Sequence, residues 1–428
     1  VQGDSLSLSG DRLYVSNSNK IAQLRDNIKL RDREMLLVTD IVDYDLDTDI
    51  ASYYGGGVIT NRESQNRLTS EEGYYDSKSE FFHFRDNVTL KNPEYTILCD
   101  TLKYASRSET AWFLGPSTIQ GQDMSIYCEN GWYNTQTDKS QFNQNARITT
   151  GSTTLKGDSI AYDAKQGEGE IFCNVFIQDT TSNYIITGDY GRHNEKTGNS
   201  LVTDRALMIQ TFAEDSLYMR ADTLLSSKDS LGQEIKAFHS VRFFKSDLQG
   251  AADSLTYRDS DSLLTMFRAP VIWSKDSQIT GDTIRLFLAN GQLNSLLVDY
   301  NAFIASRVSE GAYNQIKGRT LVGAFSENKL VQIDINGNGQ AIYFPLDESE
   351  GEPPKTIGVN KAECSNISIR IDDNQISRIS MKVQPSGALH PPKKASQNDR
   401  WLPGFNWQGD RRPQSRFDLF PKTGKKFP

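Results

Sequence analysis

The chain has 428 residues, of which 37% are hydrophobic, and its formal net charge is −8. This length exceeds one compact core, so several domains or an array of repeats are expected. An aromatic content of 10% excludes disorder throughout, and the acidic balance disfavours nucleic acid as a partner of the whole chain. No apolar run approaches the roughly 18 residues that a membrane-spanning helix needs.

A short pattern recurs from residue 10 to about residue 310. It consists of a small residue, an acid, an aliphatic residue or Gly two positions after the acid, and usually a Tyr four positions after it. Successive acids are 29 to 33 residues apart, and the spacings differ by even numbers. Because side chains alternate between the two faces of a strand, even insertions keep every residue on its own face. The acids are Asp11, Asp40, Glu71, Asp100, Glu129, Asp158, Asp189, Asp222, Asp253 and Asp282.

Each copy predicts two strands joined by a polar tip. The first strand holds the acid and the Tyr in alternation, and tips such as DAKQG (163–167) follow it. The second strand is aromatic and β-branched, as in EIFCNVFIQD (170–179). Residues such as Asn87, Gly115 and Pro270 interrupt its middle, which predicts a bulge or a bend there.

The pattern fades after about residue 310, and two weaker copies continue it. One ends at Phe344 and the other covers 362–387, with an acidic, Pro-containing insert at 346–361 between them. The predicted organisation is therefore a repeat region over 1–345, the insert, a last repeat, and a tail over 388–428. About twelve units in all predict an elongated, all-β array in which each unit packs on its neighbours.

The tail differs in composition from the repeats. It carries nine Lys or Arg against three Asp, so its net charge is +6 and the remainder carries −14. Its Pro residues disfavour regular structure. Trp401, Phe405 and Trp407 surround a Pro-Gly turn and are candidates for docking on a partner protein. Docking on an exposed sheet edge of the same chain, or an unattached tail, are the alternatives.

No catalytic or metal-binding motif is apparent. The four His residues are far apart, and the acids are spread evenly, one per unit, rather than clustered. We therefore expect no enzyme activity, no cofactor and no metal. Cys99 and Cys128 occupy the same position in adjacent copies. They are within reach of a disulfide only in a parallel arrangement, since equivalent positions in antiparallel neighbours lie about 9.6 Å apart.

The phrase GDSIAYDAKQGEGEIFCNVFIQD (157–179), and its recurrence through ten copies, resembles the OstA-like family. That family includes the LptA proteins and the periplasmic domain of LptD, which carry lipopolysaccharide to the outer membrane. The long, Tyr-rich form is most similar to the OstA-like proteins of Bacteroidetes-type bacteria. The resemblance implies an open antiparallel β-jellyroll, V-shaped in section, whose copies stack end to end.

The resemblance also implies location and partners. It implies a periplasmic bridge protein, and a chain that begins at Val1 is then expected to be a processed, secreted form. Its ligand would be lipopolysaccharide, bound through the acyl chains of lipid A. Its partners would be an LptD-type translocon in the outer membrane, the inner-membrane Lpt components, or further copies of itself.

An acyl chain in water needs a continuous apolar trough, which alternating strands supply when one face is aliphatic. A filled sandwich core would show the same alternation, so the residues alone leave both open, and the resemblance favours the trough. The candidate groove residues are Leu13, Val42, Leu102, Ile160, Leu224, Leu255 and Ile284 on first strands, and Phe84, Val88, Phe172, Val175 and Phe267 on second strands. Gly73, Gly131 and Gly191 are expected to widen the trough.

Two other classes of function remain as alternatives. A structural or adhesive cell-surface repeat protein that binds polysaccharide would have a filled core and outward-facing ligand residues. A β-helical enzyme acting on polysaccharide would need carboxylates clustered in a few adjacent turns, which the even spacing disfavours.

Overall fold

The computed structural model describes residues 6–16, 18–32, 35–61, 65–105, 107–181, 183–212, 215–230, 232–258, 260–289, 292–326, 329–347, 355–372 and 375–420. Within these ranges the chain is almost entirely β-strand. It divides after Lys196 into two compact units. In the part of the chain that the structure describes, no helix has the length and apolar character needed to cross a membrane.

The first unit consists of antiparallel strands. They are β1 (Leu6–Ser9), β2 (Arg12–Ser16), β3 (Ile21–Asp32), β4 (Met35–Asp45), β5 (Ile50–Tyr53), β6 (Gly57–Asn61), β7 (Arg67–Ser70), β8 (Glu72–Asp76), β9 (Phe81–Lys91), β10 (Tyr95–Ala105), β11 (Thr110–Gly121), β12 (Met124–Asn134), β13 (Lys139–Thr150), β14 (Thr153–Asp163), β15 (Glu168–Asp179) and β16 (Tyr184–Asn194).

The second unit continues in the same way and ends in a segment with little regular structure. Its strands are β17 (Asn199–Thr203), β18 (Leu207–Thr211), β19 (Ser216–Arg220), β20 (Thr223–Asp229), β21 (Gly232–Phe244), β22 (Gln249–Arg258), β23 (Leu263–Phe267), β24 (Val271–Ser274), β25 (Ser277–Thr280), β26 (Thr283–Ala289), β27 (Gln292–Ser309), β28 (Ala312–Ser326), β29 (Lys329–Tyr343), β30 (Leu346–Asp347), β31 (Lys355–Thr356), β32 (Val359–Asp372), β33 (Gln375–Lys382) and β34 (Ser386–His390). A one-turn helix α1 (Gln397–Arg400) and two 3₁₀ turns (Gly409–Arg411 and Arg416–Leu419) follow.

The two strands of a sequence repeat pair as an antiparallel hairpin. In β14 and β15, Asp163 lies opposite Glu168 next to the tip, and Thr153 lies opposite Asp179 at the other end. The remaining long strands of the first unit pair in the same manner with the next strand along the chain. The predicted class, an antiparallel jellyroll built from two-strand repeats, is confirmed, and the parallel arrangement is excluded.

A corner interrupts the second strand of each hairpin at the predicted bend. Cys173 and Asn174 have φ values of 57° and 51°, and the register between β14 and β15 shifts beside them. Left-handed backbone of this kind disfavours most residues and is tolerated best by Asn, Asp and Gly. We call such consecutive residues corner pairs. The others that lie in or between strands include Asp26–Asn27, Asp86–Asn87, Gln144–Asn145, His239–Ser240, Arg268–Ala269 and Tyr300–Asn301.

The strands fold over at the corners, so each has two halves that face each other. Leu155 pairs with Ile177 on β15. Ile177 and Gly169 are eight residues apart on that strand, so they would be roughly 26 Å apart if the strand were straight. Yet a Cβ atom on Gly169 would lie only 3.6 Å from the Leu155 side chain. We call the half that leads to the tips, such as 160–163, the tip arm, and the half on the other side of the corner, such as 153–157, the far arm. The two arms form the V-shaped section that the resemblance implies.

Candidate lipid-binding interior

Within each unit, the inner faces of the two arms meet in an apolar interior. Nine of the candidate groove residues lie there, each with no more than 4% of its surface exposed. They are Val42, Phe84, Val88, Leu102, Ile160, Val175, Leu224, Leu255 and Ile284. All nine follow from the alternation of side chains along a strand, because residues two positions apart within one arm lie on the same face.

Leu13 shares the inner register but is 54% exposed. Its strand, β2, pairs with β3 through Leu24, and no described strand pairs with its other side. Val15, two residues on, is 57% exposed for the same reason. Within the described residues, these two inner positions of β2 are therefore left exposed.

Phe172 and Phe267 lie on the outer face, which corrects their assignment to the groove. They are 38% and 37% exposed, whereas Ile171 and Met266 beside them are fully buried. Counting by two from the buried Val175 reaches Ile171 and not Phe172. Their aromatic character suggested the interior, but their position in the alternation places them outside.

Sequence reasoning missed much of the lining. Inward residues of second strands include Phe113, Phe142 and Ile171, each at most 2% exposed. The far arm adds the residue three positions before each acid, and this set could have been found by counting back by two from the small residue before the acid, because the phase of the alternation shifts by one at the acid. It comprises Ile97, Ile126, Leu155 and Ile186.

Two of the glycines expected to widen the interior instead allow close packing. A Cβ atom on Gly131 would lie 2.4 Å from the backbone oxygen of Gln141. A Cβ atom on Gly73 would lie 2.4 Å from the ring of Tyr53, which fills that space and is itself 4% exposed. These positions need glycine because another group already occupies the volume of a side chain.

A row of tyrosines and carboxylates lies at the free end of the tip arm, where the tip arm meets the free end of the far arm. We call this row the mouth. Tyr44 donates a hydrogen bond to Asp49 at 3.1 Å, and Tyr133 donates one to Asp138 at 2.7 Å. Burial, and then the hydrogen bond to Asp138, raise the pKa of Tyr133 well above its usual value. The tyrosine of each repeat thus packs its ring toward the interior and holds its hydroxyl at the polar rim.

The acid of most repeats stabilises a corner. The Asn174 amide donates to both carboxylate oxygens of Asp158 at 3.0 Å, and the Asn27 amide donates to Asp11 at 2.7 Å. The acid's own backbone N–H also donates to the first residue of a corner pair, as from Asp11 to the Asp26 carbonyl at 3.0 Å. The acids therefore hold the left-handed backbone in place. Among the described residues, no group of three or more His, Cys, Asp or Glu is arranged to hold a metal ion.

The cysteines in the interior are unpaired thiols. Cys99 and Cys128 lie opposite the same residue, Ser117, from the two sides of β11, so they are two strands apart. Burial raises the pKa of Cys99 to about 12 and that of Cys128 to about 11. They serve as the small inward residues that other repeats supply with Gly or Ala.

The C-terminal segment 391–420 packs on the second unit, so the expectation that its aromatic residues await a partner is corrected. Trp401, Phe405 and Trp407 surround the ring of Tyr313, with ring centroids 5.0 to 6.0 Å away. Leu402 is 2% exposed within a cluster that includes Phe303. Because Phe303 alternates with the inward Ile304, this cluster lies on the outer face of the far arm and does not cap a sheet edge.

Glutamines in a row across the far arm bind the backbone of this segment. The Gln315 amide donates to the Arg400 carbonyl at 2.8 Å and accepts from the Leu402 N–H at 2.8 Å. Gln278 repeats this pairing with Asn406 and Gln408, at 2.8 and 2.7 Å. Each amide thus pairs with the segment as a neighbouring strand would.

A family model matches the first part of the repeat region. The model of a family described as OstA-like protein matches residues 1–100 and 88–158. Among solved structures, the chain is similar to LptH of Pseudomonas aeruginosa, described as the LptA-homologous periplasmic component of the lipopolysaccharide transport device. The identity is 17%, the match covers 24% of this chain and 78% of that one, and the TM-score is 0.22. No protein among those with curated descriptions matches this chain.

Proposed function

We propose that this chain, whose residues 1–158 match the OstA-like family model, is a periplasmic carrier in lipopolysaccharide transport that holds the acyl chains of the lipid between its two arms. The observation that supports this most is the unbroken apolar lining. Ile126, Ile160 and Ile186 in successive hairpins are each no more than 4% exposed. A lining that repeats in every hairpin suits an extended apolar ligand that passes from one repeat to the next.

In this proposal the lipid enters by separation of the arms at the mouth. The interior is filled by side chains, so an acyl chain must replace contacts such as that between Leu155 and Gly169. Replacing one apolar contact by another changes the free energy little, since the hydrophobic effect is roughly proportional to apolar area removed from water. The hydroxyls at the mouth already have polar partners within their own arm, such as Tyr133 with Asp138, and keep them when the arms part.

The role proposed is transport and not catalysis. The partners would be an LptD-type translocon, inner-membrane Lpt components or a second copy of this chain. Such a partner would extend the apolar interior at the exposed side chains of Leu13 and Val15 on β2. A partner strand paired to β2 would remove that surface from water.

Photo-crosslinking with purified lipopolysaccharide tests the proposal. A benzophenone amino acid is placed at Leu102, Ile160 or Leu255 in the interior, and at Ser108 or Lys165 on the tips. The interior positions are expected to capture the lipid and the tip positions are not. Capture that is equal at both sets would refute a lipid path between the arms.

A reversible lock tests the opening step. Leu155→Cys and Gly169→Cys are combined with Cys173→Ser, which removes an exposed native thiol. A short bis-thiosulfonate reagent then joins the two arms. Lipid capture at Ile160 is expected to fall when the arms are joined and to return on reduction, whereas the Leu155→Cys single variant with the same reagent should behave as the unmodified protein.

A further inference from the structure

We propose that the outer surface of the second unit holds a binding site for a carbohydrate ring, in a cavity at the corners of β21, β22 and β23. The cavity measures about 620 Å³. Its lining includes Phe238, Ser254, Phe267 and Arg268, together with the carboxylates of Asp253 and Asp282. It lies outside the lipid interior, and it does not depend on the function proposed above.

Two phenylalanines line the cavity on either side of Ser254. Ser254 on β22 pairs with Phe238 on one side and with Phe267 on the other. The two phenylalanines are therefore two strands apart, about 9.6 Å, with only a small side chain between them. A ring in contact with both side chains at the usual 3.5–4 Å needs roughly 7–8 Å. The slot thus suits one pyranose ring, whose C–H faces pack on aromatic rings.

This corner lacks a side-chain amide that occupies the same place at four other corners. At Asp11, Glu129, Asp158 and Asp282, an Asn from the corner pair of the next strand donates its amide to the acid. At Asp253 the equivalent residue is Ala269, and at Asp222 it is Ser240. The amide present at those four corners is therefore replaced by a methyl or hydroxymethyl group.

The polar groups of the cavity suit an uncharged, hydroxyl-rich ligand. Asp253 is approached by His239 Nδ1 at 3.5 Å and by Arg268 Nη1 at 3.4 Å, both longer than the amide contacts at the other corners. Asp282 accepts from Asn301 at 3.0 and 3.1 Å. The two carboxylates would repel an anion, and Arg268 would repel a cation. Sugar hydroxyls, in contrast, can donate hydrogen bonds to the carboxylates and accept them from Arg268.

Ligand-observed saturation-transfer NMR on the full chain tests the site. Two probes distinguish the source of the sugar: the disaccharide of N-acetylglucosamine for cell-wall glycan, and lipid-free polysaccharide released from lipopolysaccharide by mild acid. Transfer to at least one probe is expected. Its absence for both at millimolar concentration would overturn the proposal.

Three variants locate the binding. Phe267→Ala removes one phenyl ring, and Ala269→Asn restores the amide found at four other corners and fills the space; each should lower the transfer about fivefold, in line with the contribution of one aromatic contact. Phe172→Ala is the matched control, because Phe172 holds the same repeat position, is 38% exposed, and packs on Tyr190 with ring centroids 5.7 Å apart. Binding that survives both Phe267→Ala and Ala269→Asn, or that is lost equally in Phe172→Ala, would contradict the site.

Discussion

The side-chain amide of Asn174 donates hydrogen bonds to both carboxylate oxygens of Asp158, at 3.0 Å each. Asn174 has a φ of 51°, so the acid of one strand holds the left-handed corner of the next. The same relationship recurs at Asp11, Glu129 and Asp282 and accounts for the acid in those copies. It also gives the acids a structural role that is independent of any ligand.

Asn174→Ala is expected to lower the free energy of unfolding by roughly 2 kcal/mol, because the charged hydrogen bonds are lost and alanine disfavours left-handed backbone. Asn174→Gly should recover the backbone part of that loss. Urea unfolding followed by tryptophan fluorescence measures both variants. Equal stability of the Ala and Gly variants would show that backbone strain contributes nothing.

Gly131→Ala is expected to destabilise the first unit by roughly 1–3 kcal/mol. The added Cβ atom would lie 2.4 Å from the Gln141 oxygen and 3.2 Å from the Phe142 Cα, both of which are backbone atoms of the paired strand. Gly121→Ala is the control, since its Cβ atom would meet nothing closer than 3.5 Å. Thermal unfolding that is unchanged in the Gly131 variant would mean that β12 and β13 separate at little cost.

Gln315→Leu is expected to release the C-terminal segment from the second unit. Gln315 is fully buried, and its loss leaves the Arg400 carbonyl and the Leu402 N–H without this partner, at a cost of about 1–3 kcal/mol. Limited proteolysis with mass spectrometry should find cleavage at Arg400 earlier than in the native chain. Gln120→Leu, on an exposed residue of β11, is the matched control. Identical digestion of both variants would contradict the role of the glutamine row.

His193 occupies the tyrosine position of its repeat, and burial lowers its pKa below the ordinary value of 6.5 despite the nearby Glu195 and Asp179. Below about pH 6.5 the unfolded chain therefore binds a proton here that the folded chain does not. Stability from this residue is present above that pH and is lost as pH falls toward the lowered folded pKa. The free energy of unfolding of the native chain should therefore fall between pH 7.5 and pH 5.5. In His193→Tyr it should fall less over the same interval. The same pH dependence in both proteins would argue against a buried neutral imidazole.

The thiols should react very unequally. Cys99 and Cys128 are buried with raised pKa values of about 12 and about 11, whereas Cys173 is exposed at a corner. A thiol-specific chromophoric reagent at pH 8 should modify Cys173 rapidly and the two interior thiols only on unfolding, because the thiolate is the reactive form. Rapid modification of Cys99 in the native protein would indicate that the arms open frequently.

The antiparallel hairpins, their tips and nine of the twelve candidate groove residues followed from the sequence. Period-two alternation is a local property of extended backbone, so Leu102, Ile160 and Leu255 could be assigned to one face without knowing what they contact. The even spacing of the repeats carried the same assignment from one hairpin to the next. The bend at Asn174 was also predictable, because residues that tolerate left-handed backbone are few.

The filled interior, the clamped corners and the docked C-terminal segment were decided by tertiary structure. Alternation distinguishes two faces but does not say how far apart two arms lie, so an open trough and a packed core share one pattern. Gln315 and Leu402 are 87 positions apart, and their hydrogen bond exists only because the second unit presents a row of amides to a segment with unpaired backbone. The sequence of a short, non-periodic segment does not indicate which surface it packs on, because that surface is assembled from strands that are distant in the chain.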